Sequence, residues 1–220
     1  MADYEQMLED TYRGFLRHGD LCVDVGAHAG RHTRPMAECC GRRGGVLAFE
    51  PIPWLAAELR RRIATDRILE NVRLEQCALS DEVGEADFVV VHEAPGYSGL
   101  RERTYDQVVT TEKIRVKVSR LDDLGDQLAG LRYIKIDCEG GELLVLKGGR
   151  EVIRRLRPIV SFECGDASLV NYEHTSADLF EFFRALNYRI VSITGILLDE
   201  AGFIDASARQ EYWDYLAYPA

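Results

Sequence analysis

The sequence predicts an α/β protein built on an open, mostly parallel sheet. Short apolar runs alternate with amphipathic segments along the chain, which is the order expected of strands followed by crossover helices. A glycine-rich turn follows the first apolar run and a cluster of acids follows a later one, so polar groups gather where strands end. The chain has 220 residues, of which 46% are hydrophobic, and this is enough for one full core.

The first predicted element is an amphipathic helix. Asp3 is a suitable N-cap, and the apolar residues that follow it recur on one helical face. That face carries Tyr4, Met7, Leu8, Thr11, Tyr12, Phe15 and Leu16. We expect this helix, within residues 1–19, to pack beside the sheet and to lie over its ligand cleft. We expect residues 20–220 to form a single domain.

A glycine-rich turn follows the first predicted strand. Leu21–Val25 is an apolar run that leads into Gly26 and Gly30, after which a helix is predicted. Strand, glycine-rich turn and helix form the usual nucleotide-cofactor crevice of an open α/β sheet, because a Cβ atom there would block the cofactor from the backbone. A second strand at residues 46–49 ends in Glu50, whose carboxylate can accept hydrogen bonds from both ribose hydroxyls.

Asp24, inside this turn, indicates which cofactor the crevice binds. A carboxylate at this position would repel the pyrophosphate of a dinucleotide, whereas S-adenosylmethionine (SAM) has no phosphate and carries an ammonium and a sulfonium. The spacing of Asp24, Gly26, Gly30 and Glu50 therefore favours SAM over NAD. An ordinary α/β turn with a structural aspartate is the alternative that the spacing leaves open.

The adenine ring is predicted to lie against residues 76–80. These residues follow a third predicted strand, at residues 71–76, and offer backbone and small side chains. The predicted cofactor-binding residues, taken along the chain, are Asp24, Gly26, Ala27, His28, Gly30, Glu50, Pro51, Cys77, Ala78 and Asp137.

An insertion interrupts the alternation of strands and helices in the middle of the chain. Predicted strands at residues 86–91 and 113–118 bracket an irregular stretch, which gives a loop insertion at about residues 92–113. A loop of this length in a compact domain is usually functional or disordered. We interpret it as a lid or an acceptor-binding loop.

A second polar cluster follows the strand predicted at residues 133–136. Asp137, Glu139 and Glu142 lie within six residues of the end of that strand, at the edge of an open α/β sheet where ligands bind. We interpret Asp137 and Glu139 as functional, whereas Glu142 begins a helix and could be a cap and nothing more. Another buried strand ends in Glu163.

The last part of the chain is less diagnostic. A helix is predicted over residues 176–186, with closing strands at residues 188–193 and 211–218. A hairpin region around Gly195 and Gly202 is predicted to link the two strands.

Composition excludes several classes of protein. Lys and Arg number 27 against 37 Asp and Glu, and a formal charge of −10 argues against a nucleic-acid backbone as the main partner. No run approaches 18 apolar residues and no signal peptide is recognised, so we expect a cytoplasmic protein without a membrane span. The six cysteines show no CxxC spacing, and we expect reduced thiols and no zinc site.

Five motifs occur in the order and at the spacings of a known family. They are residues 23–30 (VDVGAHAG), 49–51 (FEP), 78–81 (ALSD), 120–123 (RLDD) and 134–149 (IKIDCEGGELLVLKGG). Through them the sequence resembles the FkbM-type SAM-dependent methyltransferases over roughly residues 20–165.

The resemblance implies a class I, Rossmann-like methyltransferase fold, with a seven-stranded sheet whose last strand is antiparallel. It also implies O-methylation of hydroxyls on sugars, polysaccharides or polyketide-type natural products. Three residues depart from the family pattern: His28 replaces the usual Asn, Cys138 a common Val, and Gly141 a common Ala. The first would alter how the turn meets the methionine end of SAM, and the other two are interpreted as packing changes.

Methyl transfer to an alcohol is aided by a base that removes the hydroxyl proton. The predicted catalytic residues are Asp137, Glu139, Glu163 and His174. His174 has the most suitable unperturbed pKa, near 6.5, although a surface loop histidine is an equal alternative. No metal is expected, but Asp137 and Glu163, together with Asn171, offer the oxygen ligands that Mg²⁺ prefers.

The sequence disfavours two other enzyme classes and leaves two alternative functions open. Asp24 and the missing GxGxxG disfavour an NAD-dependent dehydrogenase, and residues 137–140 lack the Asn/Asp-Pro-Pro-aromatic signature of a nucleic-acid N-methyltransferase. A catalytically silent SAM-binding partner module and a methyltransferase with another small-molecule acceptor are the open alternatives. We expect a small-molecule or saccharide acceptor as the partner, and a homodimer is an open alternative.

Overall fold

A computed structural model describes residues 3–105 and 107–220. The strands are β1 Leu21–Val25, β2 Gly45–Phe49, β3 Val72–Glu75, β4 Ala78–Leu79, β5 Gly84–Val91, β6 Thr111–Ser119, β7 Leu131–Ile136, β8 Ile159–Glu163, β9 Tyr188–Ser192, β10 Leu197–Leu198 and β11 Asp214–Pro219. The helices are α1 Tyr4–Phe15, α2 Thr33–Cys40, α3 Pro53–Thr65, α4 Glu142–Gly148, α5 Arg150–Leu156, α6 Asp166–Leu169, α7 Ser176–Ala185 and α8 Glu200–Ala208. Residues 1, 2 and 106, which belong to the predicted N-terminal segment and loop, lie outside the described residues.

The main sheet has eight strands in the order β10-β9-β11-β8-β7-β1-β2-β3. Strands β3, β2, β1, β7 and β8 are parallel, and β11 runs antiparallel to both β8 and β9. The prediction of an antiparallel last strand is therefore confirmed, but the predicted number of seven strands is wrong. The additional strand is β10, whose two residues pair with Ile190 and Val191 at the edge of the sheet.

The direction in which the sheet is built reverses between β1 and β7. The chain proceeds from β1 outward to β2 and β3, and then returns to place β7 on the other side of β1. Such a reversal opens a crevice at the carboxyl ends of the two central strands. The Asp137 N–H donates to the carbonyl of Val25 at 3.1 Å and holds the two strand ends together beneath that crevice.

The strands on either side of the predicted loop form a separate, three-stranded sheet. β5 and β6 pair antiparallel over the whole length of β5, and β4 runs parallel to β6. Phe88, Val90 and Val116 of this sheet pack with Ile52 and Leu55 at the start of α3. The small sheet therefore stands beside the end of β2, next to the crevice.

Helix α1 packs beside the main sheet, as predicted. The Asp3 carboxylate caps it by accepting from the Gln6 N–H at 3.0 Å. The rings of Tyr12 and Phe15 contact the ring of Tyr133 on β7, with centroid distances of 5.7 and 5.4 Å. These buried contacts fix the helix over the central strands.

The prediction of a hairpin around Gly195 and Gly202 is wrong in its second half, because Gly202 lies inside α8. The Asp199 carboxylate caps this helix by accepting from the Gly202 N–H at 2.8 Å. Gly202, Asp205 and Ser207 are the weak helix formers of α8, and a glycine in this position also suggests a turn. Burial of Phe203 and Ala206 against the rest of the core stabilises the helix.

Aromatic side chains fill the core between β8, β11 and the helices on that face. Phe162 stacks on Phe183 with centroids 4.9 Å apart, and Phe203 meets the edge of Tyr215 at 4.8 Å.

None of the helices within residues 3–105 and 107–220 has the length and apolar character needed to cross a bilayer.

Candidate cofactor and active site

A cavity of about 290 Å³ opens where β1, β2 and β7 end. All of the predicted cofactor residues except Gly30 line it, namely Asp24, Gly26, Ala27, His28, Glu50, Pro51, Cys77, Ala78 and Asp137. Among the predicted catalytic residues, Asp137 lines the cavity, whereas Glu139, Glu163 and His174 lie outside its lining. The residues that sequence analysis assigned to a cofactor thus share one cavity, and most of the candidate bases do not.

The two glycines of the turn have different structural roles. Gly26 has φ +78, and a Cβ atom there would lie 1.9 Å from the carbonyl oxygen of Asp137, so only glycine allows β1 to approach β7 this closely. Gly30 has φ +91, and a Cβ atom there would lie 2.8 Å from the Leu59 side chain. Gly30 therefore permits the turn and the packing of α3, away from the cavity wall.

Glu50 is a buried acid that is held by backbone donors. Its Oε2 accepts from the His28 N–H at 2.8 Å, and its Oε1 accepts from the Ile52 N–H at 2.7 Å. Each carboxylate oxygen has a further lone pair available for a ligand donor. Burial raises the pKa of Glu50 to about 7, and the charges of Asp24 and Asp137 add to this effect while the two N–H donors oppose it.

His28 occupies a backbone conformation that few side chains adopt. Its φ is +50, in the left-handed region where Asn, Asp and His are enriched over other non-glycine residues. This accounts for the exchange of Asn for His at this position without loss of the turn. Burial lowers the pKa of the His28 imidazole, which lines the cavity as a neutral group at neutral pH.

Lys135 is a buried cation in the cavity that sequence analysis missed. It is the register partner of Asp24 on the neighbouring strand, and its Nζ donates to Asp137 Oδ2 at 2.9 Å. Burial alone would lower the pKa of Lys135, but the charges of Asp137 and Asp24 outweigh it and raise the pKa well above its usual value. The signal in the sequence was a lysine inside an otherwise apolar strand.

Asp24 is fully buried and has one oxygen without a protein partner. Its Oδ2 accepts from the Thr33 hydroxyl at 2.6 Å, whereas its Oδ1 has no hydrogen-bond partner among residues 3–105 and 107–220. An unpartnered buried carboxylate oxygen is costly unless a ligand or water satisfies it. Because Asp24 lines the cavity, a bound ligand with a donor group can supply that partner.

The acids that follow β7 and β8 come together at the carboxyl edge of the sheet. Oxygens of Asp137, Glu139 and Glu163 lie within 4.8 Å of one another. Withdrawal from solvent raises the pKa of Glu139 to about 8 and that of Glu163 well above its usual value, and the charge of Asp137 adds to both shifts. The three carboxylates could hold a hard divalent cation. Two of them, however, already have cationic partners in Lys135 and Arg103.

The segment of residues 92–110 forms one wall of the cavity and contacts the acidic edge. Four of its residues line the cavity: Pro95, Gly96, Ser98 and Leu100. Arg103 pairs with Glu139, and its guanidinium lies 4.5 Å from the centroid of the Tyr97 ring. The Glu102 carbonyl accepts from the Asn171 amide at 2.7 Å, so this amide is engaged with the loop. The described part of the segment is therefore docked on the edge that carries the acids.

His174 and Glu142 support the backbone around residues 138–141. His174 Nε2 lies 3.1 Å from the Gly140 carbonyl, so Nε2 carries a proton and donates it there, and burial lowers the pKa of the ring. Glu142 Oε1 accepts from the N–H groups of Cys138 and Gly140 at 2.9 and 3.4 Å. These bonds give His174 and Glu142 a structural role next to the acidic edge.

Helix α1 and the start of α2 contribute further residues that sequence analysis missed. Glu5, Arg31 and His32 line the cavity beside Asp24. The buried His32 ring is held from both sides, with Nδ1 3.0 Å from the Tyr12 hydroxyl and Nε2 2.6 Å from Glu5 Oε2. The expected position of α1 over the cleft is therefore confirmed by a direct contribution to its wall.

A family model described as the methyltransferase FkbM domain matches residues 24–190. Methyltransferase sdnD of Sordaria araneosa is 31% identical over 160 residues, which cover 60% of this chain and 61% of the relative. The 31-O-demethyl-FK506 methyltransferase FkbM of Streptomyces tacrolimicus is 29% identical over 185 residues, covering 69% of this chain and 70% of that protein. The 2-O-methyltransferase NoeI of Sinorhizobium fredii is 28% identical over 154 residues, covering 62% and 60%. The matches thus span about three fifths of sdnD and NoeI.

Solved structures share the fold. The crystal structure of Methyltransferase FkbM from Methylobacillus flagellatus KT aligns with a TM-score of 0.56 and 19% identity, covering 93% of this chain and 45% of that one. The O-methyltransferase TomG from Streptomyces achromogenes, solved with SAM, aligns with a TM-score of 0.53 and 12% identity, covering 100% and 81%. Together with the strand order, these similarities show the class I methyltransferase fold.

Proposed function

The chain belongs to the FkbM methyltransferase family, and we propose that it is a SAM-dependent O-methyltransferase acting on a hydroxyl of a sugar, a saccharide or a polyketide-type natural product. The observation that carries the proposal is the presence of two different acids in one cavity. Glu50 is held by backbone N–H groups and can bind a ribose, whereas Asp137 is held by Lys135 and can act on an acceptor.

The charges on the cavity wall support SAM as the methyl donor. Asp24 and Glu50 line the cavity together, and their carboxylates would attract an ammonium and a sulfonium but repel a pyrophosphate. The ribose hydroxyls would donate to the free lone pairs of Glu50, and the adenine ring would lie against Cys77 and Ala78. The solved relative TomG binds SAM in the same fold, which supports this assignment.

The names of the relatives support a hydroxyl as the acceptor. FkbM of Streptomyces tacrolimicus is a 31-O-demethyl-FK506 methyltransferase, and NoeI is a 2-O-methyltransferase. Both names describe methyl transfer to oxygen. The sugar and polyketide classes are proposed for this chain from the motifs that it shares with the family.

Asp137 is the best-placed of the four predicted bases. Transfer of the methyl group from SAM is an in-line displacement at carbon that releases S-adenosylhomocysteine (SAH), and it requires an acceptor oxygen in line with the donor. Asp137 lines the cavity, and its Oδ2 accepts from Lys135, which leaves Oδ1 to take the hydroxyl proton. Glu139 is paired with Arg103, and Glu163 stands behind Asp137 in the same acidic cluster.

A divalent metal is not part of the proposal. Lys135 and Arg103 already neutralise Asp137 and Glu139, so a cation bound by the cluster would have to compete with two ion pairs. Mg²⁺ bound through Asp137 and Glu163 is the alternative that a chelator would reveal.

The test is release of SAH from SAM in the presence of sugar, nucleotide-sugar and polyketide acceptor pools, each with and without EDTA. We expect release that depends on one acceptor pool and is unchanged by EDTA. The Asp137→Asn variant serves as the control for background hydrolysis of SAM. Loss of release with EDTA would replace the base mechanism by the metal one.

Direct binding of SAM, measured by calorimetry, completes the test. Failure of the wild-type protein to bind SAM would overturn the proposal. SAM binding without turnover on any pool would favour the silent SAM-binding module over the enzyme.

A further inference from the structure

We infer that helix α1 completes the cofactor site, with Glu5 on α1 and Arg31 before α2 binding the charged α-amino-acid end of SAM. The inference rests on the proposed function, because it assigns residues to one part of the proposed cofactor. It goes further in making a segment outside the glycine-rich turn, Tyr4–Phe15, part of the binding site.

The location of these residues follows from the strand order. Cys77 and Ala78 follow β3 and lie on one side of the crevice, and Glu50 follows β2 and lies in the middle of the crevice. Glu5 lies on the other side, close enough to Lys135 of β7 and Asp214 of β11 for their charges to interact. With adenine at Cys77 and ribose at Glu50, the remaining end of the cofactor points towards Glu5 and Arg31.

The charges at this end match an α-amino acid. Such a group carries an ammonium and a carboxylate on the same carbon, and it fits a site where an anion and a cation stand side by side. Glu5 Oε2 and Arg31 Nε are 3.9 Å apart at the mouth of the cavity. Their side chains are 59% and 45% exposed without a ligand, so a bound cofactor has surface to cover.

A second, independent observation is the unpartnered Oδ1 of Asp24. This atom is fully buried, belongs to a residue of the cavity wall and lacks a protein donor. An ammonium placed between Asp24 and Glu5 would give it one. The arrangement assigns the ammonium to Asp24 and Glu5 and the carboxylate to Arg31.

His32 fixes the charge state and direction of Glu5. The tautomer that satisfies both contacts accepts from the Tyr12 hydroxyl at Nδ1 and donates from Nε2 to Glu5. This hydrogen bond lowers the pKa of Glu5 to about 2, so the carboxylate stays ionised. His32 and Tyr12 are thus positioning residues, and they also tie the binding group to the packing of α1.

The experiment compares two ligands that differ in the amino-acid end. SAM carries it, whereas 5′-methylthioadenosine has the same nucleoside and lacks it. We expect Glu5→Gln and Arg31→Gln each to weaken SAM binding about tenfold, as for the loss of one exposed charged contact, and to change 5′-methylthioadenosine binding less than twofold. Binding is measured by calorimetry on the full chain.

Glu38→Gln is the matched control. Glu38 pairs with Arg13 and joins α1 to α2 outside the cavity, so its loss tests whether loosening the helix is enough to weaken binding. We expect this variant to bind both ligands like the wild type. Melting temperatures of the ligand-free variants are recorded beside the affinities.

Three results would overturn the inference. They are equal weakening of both ligands by Glu5→Gln and Arg31→Gln, unchanged SAM affinity in both variants, or the same weakening in Glu38→Gln. If the wild-type protein binds neither ligand, the proposed function fails first. If the wild-type protein binds 5′-methylthioadenosine and one of the three results is found, the inference fails while the proposed function stands.

Discussion

Two carboxylates in the same cavity, the buried Glu50 and the half-buried Asp137, are held in opposite ways. Glu50 accepts from two backbone N–H groups, at 2.8 and 2.7 Å, whereas Asp137 accepts from the ammonium of Lys135 at 2.9 Å. Amide donors hold an acid in place without cancelling its charge, so the acid still attracts a cationic ligand. A buried ammonium cancels the charge, so the acid attracts a further cation only weakly.

The same contrast separates the two sides of the cavity. On the donor side, the turn at Gly26 and the end of β2 supply backbone donors close to their own acids. On the acceptor side, Arg103 from the 92–110 segment reaches over to Glu139, and Lys135 reaches Asp137. The comparison teaches that backbone amides leave the charge of Glu50 uncompensated where the cationic donor would bind, whereas cations pair with Asp137 and Glu139 where a neutral hydroxyl would react.

Replacing Asp137 by Asn would have the largest effect. We expect turnover to fall by about 10²–10⁴-fold, because the proposed base is lost, and SAM affinity to fall far less. Rates of SAH release and calorimetric SAM binding measure the two quantities. Asp214→Asn is the control, since it removes another buried acid near Lys135 that does not line the cavity. If Asp137→Asn lost SAM binding and turnover to the same extent, the assignment of Asp137 to the acceptor side would be wrong.

Replacing Glu50 by Ala is expected to act on binding alone. Loss of the charged acceptor for the ribose hydroxyls would weaken SAM binding by about 10- to 100-fold, while turnover at saturating SAM stays near the wild-type value. Glu75→Ala is the matched control, because Glu75 ends the neighbouring strand β3 but pairs with Arg73 outside the cavity. Unchanged SAM affinity in Glu50→Ala would remove the ribose assignment.

The Arg103–Glu139 pair should behave as a unit in folding stability. Arg103→Met leaves an acid buried without its cation and is expected to cost about 1–3 kcal/mol in the free energy of unfolding. Adding Glu139→Gln should recover part of this loss, because the uncompensated charge is gone. Urea unfolding of both single variants and the double variant at pH 9, where Glu139 is ionised, measures the coupling. SAM affinity is the internal control, and a large change in it would mean that this pair belongs to the donor side.

Stability should depend on pH because of the buried acids. The pKa of Glu50 is raised to about 7 and that of Glu139 to about 8, from values near 4.5 in the unfolded chain. Between those values the folded protein binds more protons than the unfolded one, so stability falls as the pH rises from 5 and levels off above 8. At about 1.4 kcal/mol for each pKa unit, we expect a loss of about 2–3 kcal/mol from Glu50 and about 3–4 kcal/mol from Glu139 between pH 5 and pH 8.

Urea unfolding of the ligand-free protein at pH 5, 6, 7 and 8 checks this expectation. Glu50→Gln should flatten the curve up to about pH 7, and Glu139→Gln should flatten the part that extends to about pH 8. Stability that rises from pH 5 to pH 8 would contradict the assignment of raised pKa values to both sides.

Sequence reasoning found the donor side because that side is encoded locally. Gly26 must be glycine for reasons of backbone conformation and close approach, and Glu50 stands directly after a strand, so spacing alone predicts both. Ala27, His28, Cys77 and Ala78 follow from the same strand ends. Gly30 was assigned to the cofactor on the same spacing, but its environment shows a packing role.

The acceptor side depends on contacts that spacing does not reveal. Arg103 and Glu139, for example, are 36 positions apart in the sequence. Only the three-dimensional arrangement shows which charged residue faces which acid. His174 was a candidate base on its unperturbed pKa, and the structure instead engages its Nε2 with the Gly140 carbonyl. Helix α8 was missed because Gly202 is typical of a turn, whereas burial of Phe203 stabilises a helix at this position.

The close approach at Gly26 has a consequence for how this protein can change. The carbonyl of Asp137 would lie 1.9 Å from any Cβ atom at position 26, so a side chain there would push the turn away from the residue proposed as the base. We therefore expect adaptation to an acceptor of another size to fall on the inserted segment, whose residues Pro95, Gly96, Ser98 and Leu100 line the cavity. Engineers who wish to change substrate should vary the length and side chains of that segment and leave the sheet intact.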